Sequence, residues 1–488
     1  MKKSIGELNL QRKSETHLQT AADRTRRHLI DVDAVSKQKQ LSQIFTPAPT
    51  ASFMATLFLS VTSRCNLLDA GAGPGALSGA FLDECVSKKL EFDSIQLQAL
   101  DLDDALHPPL YELLNGYTGN IPLLFDISGG DYIAWAVNRI QADQCNFTHA
   151  ILNPPYKKIG SESPTRQLLR QVGIETSNMY SAFVALSVLL VEQGGQIVAI
   201  IPRSFCNGPY FRTFRKFILE HAAIRHLHLF ESRDQIFRKD NVLQETIIIH
   251  LERGVQQGAV TVSTSSDDNF SDFSTQQHSF DQIVHPEDPE SFIRIPTRLN
   301  HFSNEQHPDL NCSLADIGIQ VSTGPIIDYR FREHLCKSLE DGSVPLLYPR
   351  HCLNGNIKWP KQKAKRANSI KLNCVTKKSL YPKGWYCVVR RISSREETRR
   401  IVASVVDPDI FHDSSMIGFE NHLNVFHDNR QGMPKDLARG LAAFLNSAVA
   451  DNQFRQFSGH TQVNATDLKQ LLYPNREDLI KLARQQQG

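Results

Sequence analysis

The stretch "NLLDAGAGPGALSGAFL", Asn66–Leu82, decides the fold. A short apolar run ends on Asp69 and Ala70, glycines follow at Gly71, Gly73 and Gly75, and an apolar segment of helical length comes next. Glycine lets a chain bend sharply and approach a ligand with no side chain in the way. Strand, glycine turn and helix in that order open a nucleotide-binding α/β sheet. Alone, the loop fits a dinucleotide, a flavin or S-adenosylmethionine, and it also fits tight packing with no ligand.

Working outward, "QALDLDD" (98–104) ends the next predicted strand on Asp101, followed by Leu102. A carboxylate there can accept both hydroxyls of a ribose. NAD enzymes offer the same arrangement, so the cofactor stays open at this point. The runs "IPLLF", "FTHAILN", "GQIVAIIP", "IRHLHLF" and "ETIIIHLE" continue the pattern, most of them separated by helix-length segments. This predicts an α/β fold, a mostly parallel sheet with helices on both faces. The last run follows its predecessor too closely for a long intervening helix, which predicts an antiparallel entry.

The fourth run leads into "AILNPPYKKIG", Ala150–Gly160. Most turns use Gly or Asp rather than a rigid Pro-Pro pair, so this is either a stiff surface turn or a place where an amide and a ring are held still. At the end of the fourth strand it falls beside the glycine loop, in the crevice where such sheets bind ligands. The exocyclic amine of adenine is a poor nucleophile because its lone pair is delocalised into the ring. Two acceptors gripping its hydrogens, the Asn153 side-chain oxygen and the Pro154 carbonyl, can pull it toward tetrahedral geometry, with Pro fixing the turn. Tyr156, after Pro155, can stack on a base extruded from a duplex. Lys157 and Lys158 are expected near phosphates.

The chain has 488 residues, 41% hydrophobic and 22% charged, enough for two or three domains. No apolar run reaches the roughly 20 residues that span a bilayer, and "MKKSIGELNLQRKSETHLQ" lacks the apolar core of an export signal. Nine cysteines with no CxxC pair support neither a metal site nor a disulfide framework, and a reducing cytoplasm is expected. A net charge of +2 hides an asymmetry: Gly254 to Phe292 holds no Lys or Arg, whereas Arg350 to Arg400 holds fifteen against two acids. Trp359, Tyr381, Trp385 and Tyr386 interleave with that basic stretch, a mixture that suits a polyanion.

With these motifs the sequence resembles the N6-adenine DNA methyltransferases of the gamma motif order, in which cofactor motifs precede the catalytic motif and a target-recognition domain comes last. The segments "LLDAGAGPG", "ILNPPY", "NMYSAFVALSVLLVEQGGQIVAIIPRSF" and "FSGHTQVNATDLKQLLYP" carry the resemblance over roughly Gln38 to Pro474. It implies a Rossmann-like seven-stranded class I S-adenosylmethionine methyltransferase sheet and a C-terminal α+β DNA-recognition domain. It also implies that Phe45, Thr46 and Pro47 hold the methionine carboxylate, Asp69 lies near the ammonium and Asp101 binds the ribose. Asp131 and Tyr132 match the pair that recognises the cofactor adenine, with Asp126 an open rival. Asn153, Pro154 and Tyr156 match the catalytic motif. Phe237 matches the residue that packs on the other face of the flipped base.

The expected organisation is an N-terminal helical extension (1–40), a catalytic domain (41–255), an acidic linker (256–293) and a target-recognition domain (294–488). Duplex DNA is the expected partner, bound by a monomer, with a separate restriction endonuclease beside it. An rRNA or protein-glutamine methyltransferase also carries "NPPY" and is the nearest rival; a binding module with an inactive methylase half is another. A cytosine-C5 enzyme is excluded, since its nucleophilic Cys would follow Pro and no Pro-Cys pair occurs. A fused nuclease is not expected from the roughly forty residues before the first cofactor motif.

Overall fold

The computed structural model describes residues 45–230, 245–296, 310–361, 366–393, 397–411, 414–458 and 461–485. The proposed N-terminal extension and Phe237 lie outside the described residues. The chain divides into two compact units, Met1–Thr297 and Arg298–Gly488.

The first unit is built on one sheet. Its strands are β1 (Arg64–Ala70), β2 (Ser94–Leu100), β3 (Leu123–Ser128), β4 (Phe147–Leu152), β5 (Val191–Pro202), β6 (Ala222–Phe230), β7 (Thr246–Arg253), β8 (Val260–Ser265) and β9 (Ser274–His278). They lie in the order β3-β2-β1-β4-β5-β7-β6-β8-β9. The first five are mutually parallel, and β7 enters antiparallel between β5 and β6, as its spacing predicts. Helices α1 (Ala48–Ala55), α2 (Ala76–Val86), α3 (His107–Asn115), α4 (Tyr132–Gln141), α5 (Pro164–Gln171), α6 (Met179–Leu190) and α7 (Arg212–His221) accompany these strands.

Alternation along each strand explains why both faces are covered. Leu68, Ala70, Ala150, Leu152, Ile197, Ala199 and Ile201 join one buried cluster with α4 and α6. Their neighbours Leu67, Ile151, Val198 and Ile200 join the opposite cluster with α1, α2 and α3. Period-two side chains point to opposite faces, so a strand buried on both reads as an unbroken apolar run. Each such Leu, Ile or Val contributes about 1.5–3 kcal/mol on burial.

The sheet has nine strands rather than seven, because the segment expected as an acidic linker adds β8, parallel to β6, and β9, antiparallel to β8. The acids Asp267, Asp268 and Asp272 sit in the turn between these strands, while Val260 and Val262 enter the core. Phe270 from that turn packs 4.6 Å from Phe53 of α1, covering a face that carries His226 and His228. After a short helix α8 (Phe280–Ile283), the chain is tied back by buried Arg215. That guanidinium donates to the carbonyls of Phe205, Gly208 and Glu290 at 2.8–3.0 Å and lies 5.1 Å from the Phe292 ring. Composition suggests a loose tether; hydrogen bonding and aromatic cover make it part of the unit.

The second unit consists of short strands in two sheets. One runs in the order Gln320–Thr323, Leu423–His427, Tyr386–Arg390, Ala403–Val406, Asn356–Ile357, Cys352–Leu353; the other in the order Leu335–Cys336, Ser369–Lys371, Ser343–Leu347, Met416–Phe419, Tyr381–Pro382. Helices α9 (Lys435–Leu445), α10 (Ala448–Phe457), α11 (Ala465–Lys469) and α12 (Arg476–Gln485) complete it. Helices α9 and α10 are separated at Asn446, whose amide exchanges hydrogen bonds with the Ala403 backbone, and Ser447 caps the second helix. Of the aromatics expected on a polyanion surface, Tyr381 and Tyr386 are buried, the half-buried Trp359 donates its indole N–H to the Asn368 carbonyl, and the half-buried Trp385 lies under Lys435 and Arg439. The exposed charge remains, at Lys358, Arg366, Lys371, Lys377, Lys378 and Arg399.

Candidate active site

Parallel strands deliver their carboxyl ends to one edge, and the loops leaving β1, β2 and β4 meet there. Gly71 N and Ala72 N donate to the Leu100 carbonyl at 2.8 and 2.9 Å, folding the glycine loop over the end of β2. Gly73 N then donates to Asp101 Oδ2, and Asp103 N to Asp101 Oδ1, both at 2.8 Å. The buried carboxylate is thereby aimed; burial raises its pKa while the two amides lower it. Gly75 caps α2 in a left-handed conformation, φ +90°, and a Cβ there would lie 2.6 Å from Leu113. At Gly73, also at positive φ, a Cβ would come within 3.2 Å of the Phe45 ring.

These loops enclose a cavity of about 210 Å³. Ten of the residues expected at the site line it: Phe45, Thr46, Gly71, Gly73, Asp101, Leu102, Asp131, Tyr132, Asn153 and Pro155. Asp126 is not among them; it accepts from Gln98 Nε2 at 2.7 Å and Ser128 Oγ at 2.8 Å, and it lines a separate depression. Asp131 caps α4 by accepting from Ile133 N, and the ring of Tyr132 lies 4.5 Å from Phe183 with its hydroxyl against Ser187. Pro47, Ala70, Gly75, Pro154 and Tyr156 are not among the lining residues.

Asp69 is not among them either and is fully buried. Its Oδ2 accepts from Ser78 N and Oγ at 3.2 and 2.6 Å, while buried Oδ1 has no partner among the described residues. Burial pushes its pKa up to about 7, opposed by the Ser78 hydrogen bonds. Sequence reasoning misses Ser78 and the lining residues Met179 and Phe183. The last two lie in "NMYSAF", whose helical spacing turns both toward one side.

Around the amide, Asn153 Nδ2 donates to Thr46 Oγ1 at 3.0 Å. The Tyr156 hydroxyl approaches Asn153 Oδ1 at 3.4 Å and the Ile200 carbonyl at 3.3 Å. Its ring meets Tyr180 edge-on at 6.2 Å, and burial raises the phenol pKa. A pinned carboxamide therefore shares one cavity with a glycine loop and a carboxylate at the end of β2. That is the arrangement of a nucleotide-using α/β methyltransferase, in which a polar acceptor is held beside the ligand cleft.

Residues 125–237 match the Eco57I restriction-modification methylase family. The chain is 46% identical to the type II methyltransferase M.BsuBI of Bacillus subtilis over 96% of its own length and 94% of that protein. It is 41% identical to M.PstI of Providencia stuartii, over 92% and 90% of the two chains. Among solved structures, a DrdV–DNA complex matches with a TM-score of 0.48 at 13% identity, over 97% of this chain and 59% of that one. The chain belongs to the type II restriction–modification methyltransferases, the DNA-methyltransferase class its motifs resemble.

Proposed function

We propose that the protein transfers a methyl group from S-adenosylmethionine to N6 of an adenine flipped out of duplex DNA, protecting a target site from a separate restriction endonuclease. The observation that carries this reading is the Asn153 carboxamide, fixed by Thr46 and placed on the wall of the nucleotide cavity.

The cavity fits the cofactor. Asp101 offers a hydrogen-bonded carboxylate to ribose hydroxyls, and Asp131, on the wall at the head of α4, is the residue of choice for the cofactor adenine. Phe45 and Thr46, on the same wall, and the adjoining Pro47 are the residues we assign to the methionine carboxylate. The orphaned Asp69 Oδ1 is a buried acceptor awaiting a donor, in keeping with an ammonium nearby. S-adenosylmethionine supplies an electrophilic methyl when bound.

The chain's own groups do the rest. Asn153 Oδ1 and the Pro154 carbonyl accept the two hydrogens of the adenine amine, raising electron density on nitrogen as charge develops. Tyr156 stacks on the extruded base, offsetting lost stacking, and Phe237 packs on its other face. The second unit reads the target sequence, its exposed Lys and Arg supplying salt-sensitive phosphate contacts. The enzyme works as a monomer on DNA in the cytoplasm.

Incubation of purified protein with duplex DNA and labelled cofactor, followed by nucleoside analysis, tests the reading. N6-methyladenine is the expected product. N4-methylcytosine would move the same amide chemistry to another base, and label confined to ribosomal RNA or protein would overturn the DNA reading.

A further inference from the structure

Arg390, Arg391 and Arg400 lie close together in the chain of the second unit and meet different fates. Arg390 donates to Glu397 Oε2 at 2.7 Å, a tight ion pair. Arg400 is buried, and its Nε donates to Ser393 Oγ at 3.1 Å. Arg391 is half-buried, and among the described residues its guanidinium reaches neutral acceptors: the Asn421 carbonyl at 3.3 Å, and Gln462 Oε1 and Asn464 Oδ1 at 3.4 Å. Its buried Nε has no partner there. All three contacts are long for N–H···O bonds, so the fork is aligned but free to take a stronger acceptor.

A carboxylate near this fork would be its natural partner. Glu420 lies two residues before His422, whose carbonyl accepts from Arg391 N at 2.8 Å. Yet the Glu420 carboxylate is buried and already engaged at both oxygens, with Oε1 2.6 Å from His422 Nδ1 and Oε2 accepting from His422 N at 3.0 Å. The backbone beneath Arg391 is fixed from the other side as well. Val463 N donates to the Arg391 carbonyl at 2.7 Å, Ser393 N to the Thr461 carbonyl at 3.1 Å, and Asn424 Nδ2 to the Val463 carbonyl at 2.7 Å.

We infer that Arg391 is a specificity-determining residue whose guanidinium reads a guanine of the target site, donating to O6 and N7 in the major groove. This rests on the proposed role of the second unit in reading the sequence. A phosphate contact needs charge alone, which flexible, exposed lysines supply; a base contact needs a rigidly placed planar fork. The surroundings are those of a base edge. Thr461 and Gln462 are exposed beside Arg391, and the next residue, Ile392, is 54% exposed, giving neutral hydrogen-bonding and apolar groups around one cation.

Sequencing of the methylated product supplies the target site. Duplexes are then made in which each guanine of the site is replaced in turn by 7-deazaguanine, which pairs normally but lacks the N7 acceptor, or in which single base pairs are exchanged. The parent should lose roughly 10-fold or more in kcat/KM at one of the 7-deazaguanine positions, the worth of a hydrogen bond to a charged donor. Arg391→Ala and Arg391→Lys should both lower kcat/KM on the unmodified site about 10- to 100-fold. Both should cease to discriminate at that guanine and keep the parent's ranking of duplexes altered elsewhere, since Lys retains the charge but not the fork.

Full activity of the parent on every 7-deazaguanine duplex, or a target site with no guanine, overturns the inference whether or not the variants fold. So does discrimination at that guanine persisting in folded Arg391→Ala. Rescue by Arg391→Lys, or a loss uniform across the panel, would make Arg391 a phosphate contact and overturn it too. Absence of methylated DNA from the parent would sink the functional reading on which the inference rests.

Discussion

The two units bury polar groups for different ends. The first interrupts a large apolar sheet with the Asp69 carboxylate and five histidines, and holds Asp101 and Asn153 in loops that converge at one edge. The second is assembled from strands of two to five residues, turns Tyr381, Tyr386 and Phe419 inward, and leaves most of its cations outside, Arg400 being a buried exception. Long parallel strands give one edge where several loops meet, so a few side chains can be held against each other closely enough for chemistry. Short strands in two small sheets give an irregular surface instead, suited to many weak contacts.

The largest expected difference between the units lies in their response to acid. In the first, burial lowers the pKa of His149 and His226 to about 4 and of His228 and His250 to about 3, from an ordinary 6.5. Below pH 6.5 the unfolded chain binds these protons and the folded one does not. The stability they contribute is therefore present above pH 6.5 and is lost as pH falls toward 4. Each costs roughly 1.4 kcal/mol per pH unit in that window. Asp69 works the other way, since its folded pKa is raised to about 7 from 3.8, so its contribution grows as pH falls through that range. Asp101, whose pKa burial also raises, acts in the same direction, and the two carboxyls offset part of the cost of the four histidines. In the second unit burial lowers His351, also to about 4, and shifts His427 in the same direction. Melting curves from pH 7.5 to 4.5 should show the transition of the first unit falling steeply and that of the second falling less. A flat first-unit transition would break the comparison.

Next in size is the loss of the amide. Asn153→Ala should lower methylation by roughly 10²-fold or more, as when a charge-stabilising partner is removed. DNA and cofactor binding should stay within a few-fold of the parent, because the second unit and the glycine loop are untouched. Equal turnover in the two proteins, measured under single-turnover conditions, would show that chemistry is not concentrated at that edge.

Legibility in the sequence differs between the units as well. The order of the sheet is legible because each strand is a local apolar run and alternation sends neighbours to opposite faces. Residues 260–278 are not, because Ser, Thr and Asp dominate locally while the partners that make them strands, β6 and Phe53, are distant in the chain. Asp126 and Asp131 both follow the start of β3 in sequence; only the turn into α4 separates an outward carboxylate from one on the cavity wall. The Thr46–Asn153 hydrogen bond needs the fold to bring two loops together. In the second unit, charge is legible and aromatic direction is not, since a Tyr between lysines looks the same whether it faces a core or a base.

That last ambiguity yields the smallest and sharpest comparison. The Tyr386 hydroxyl donates to the Pro382 carbonyl at 2.7 Å, and its ring meets Phe419 at 5.4 Å inside the unit. Lys377 and Lys378 are exposed on a short turn of the same basic stretch. Tyr386→Phe should cost about 1 kcal/mol of stability, the net worth of one hydrogen bond, and leave the salt dependence of DNA binding unchanged. Replacing both lysines by Ala should do the reverse. Melting should stay put, while the slope of log affinity against log salt shrinks by up to about 2, roughly one for each phosphate no longer neutralised. Should Tyr386→Phe change DNA affinity at constant stability, the aromatics would belong to the DNA surface after all, and the division between an inward aromatic core and an outward ring of charge would fail.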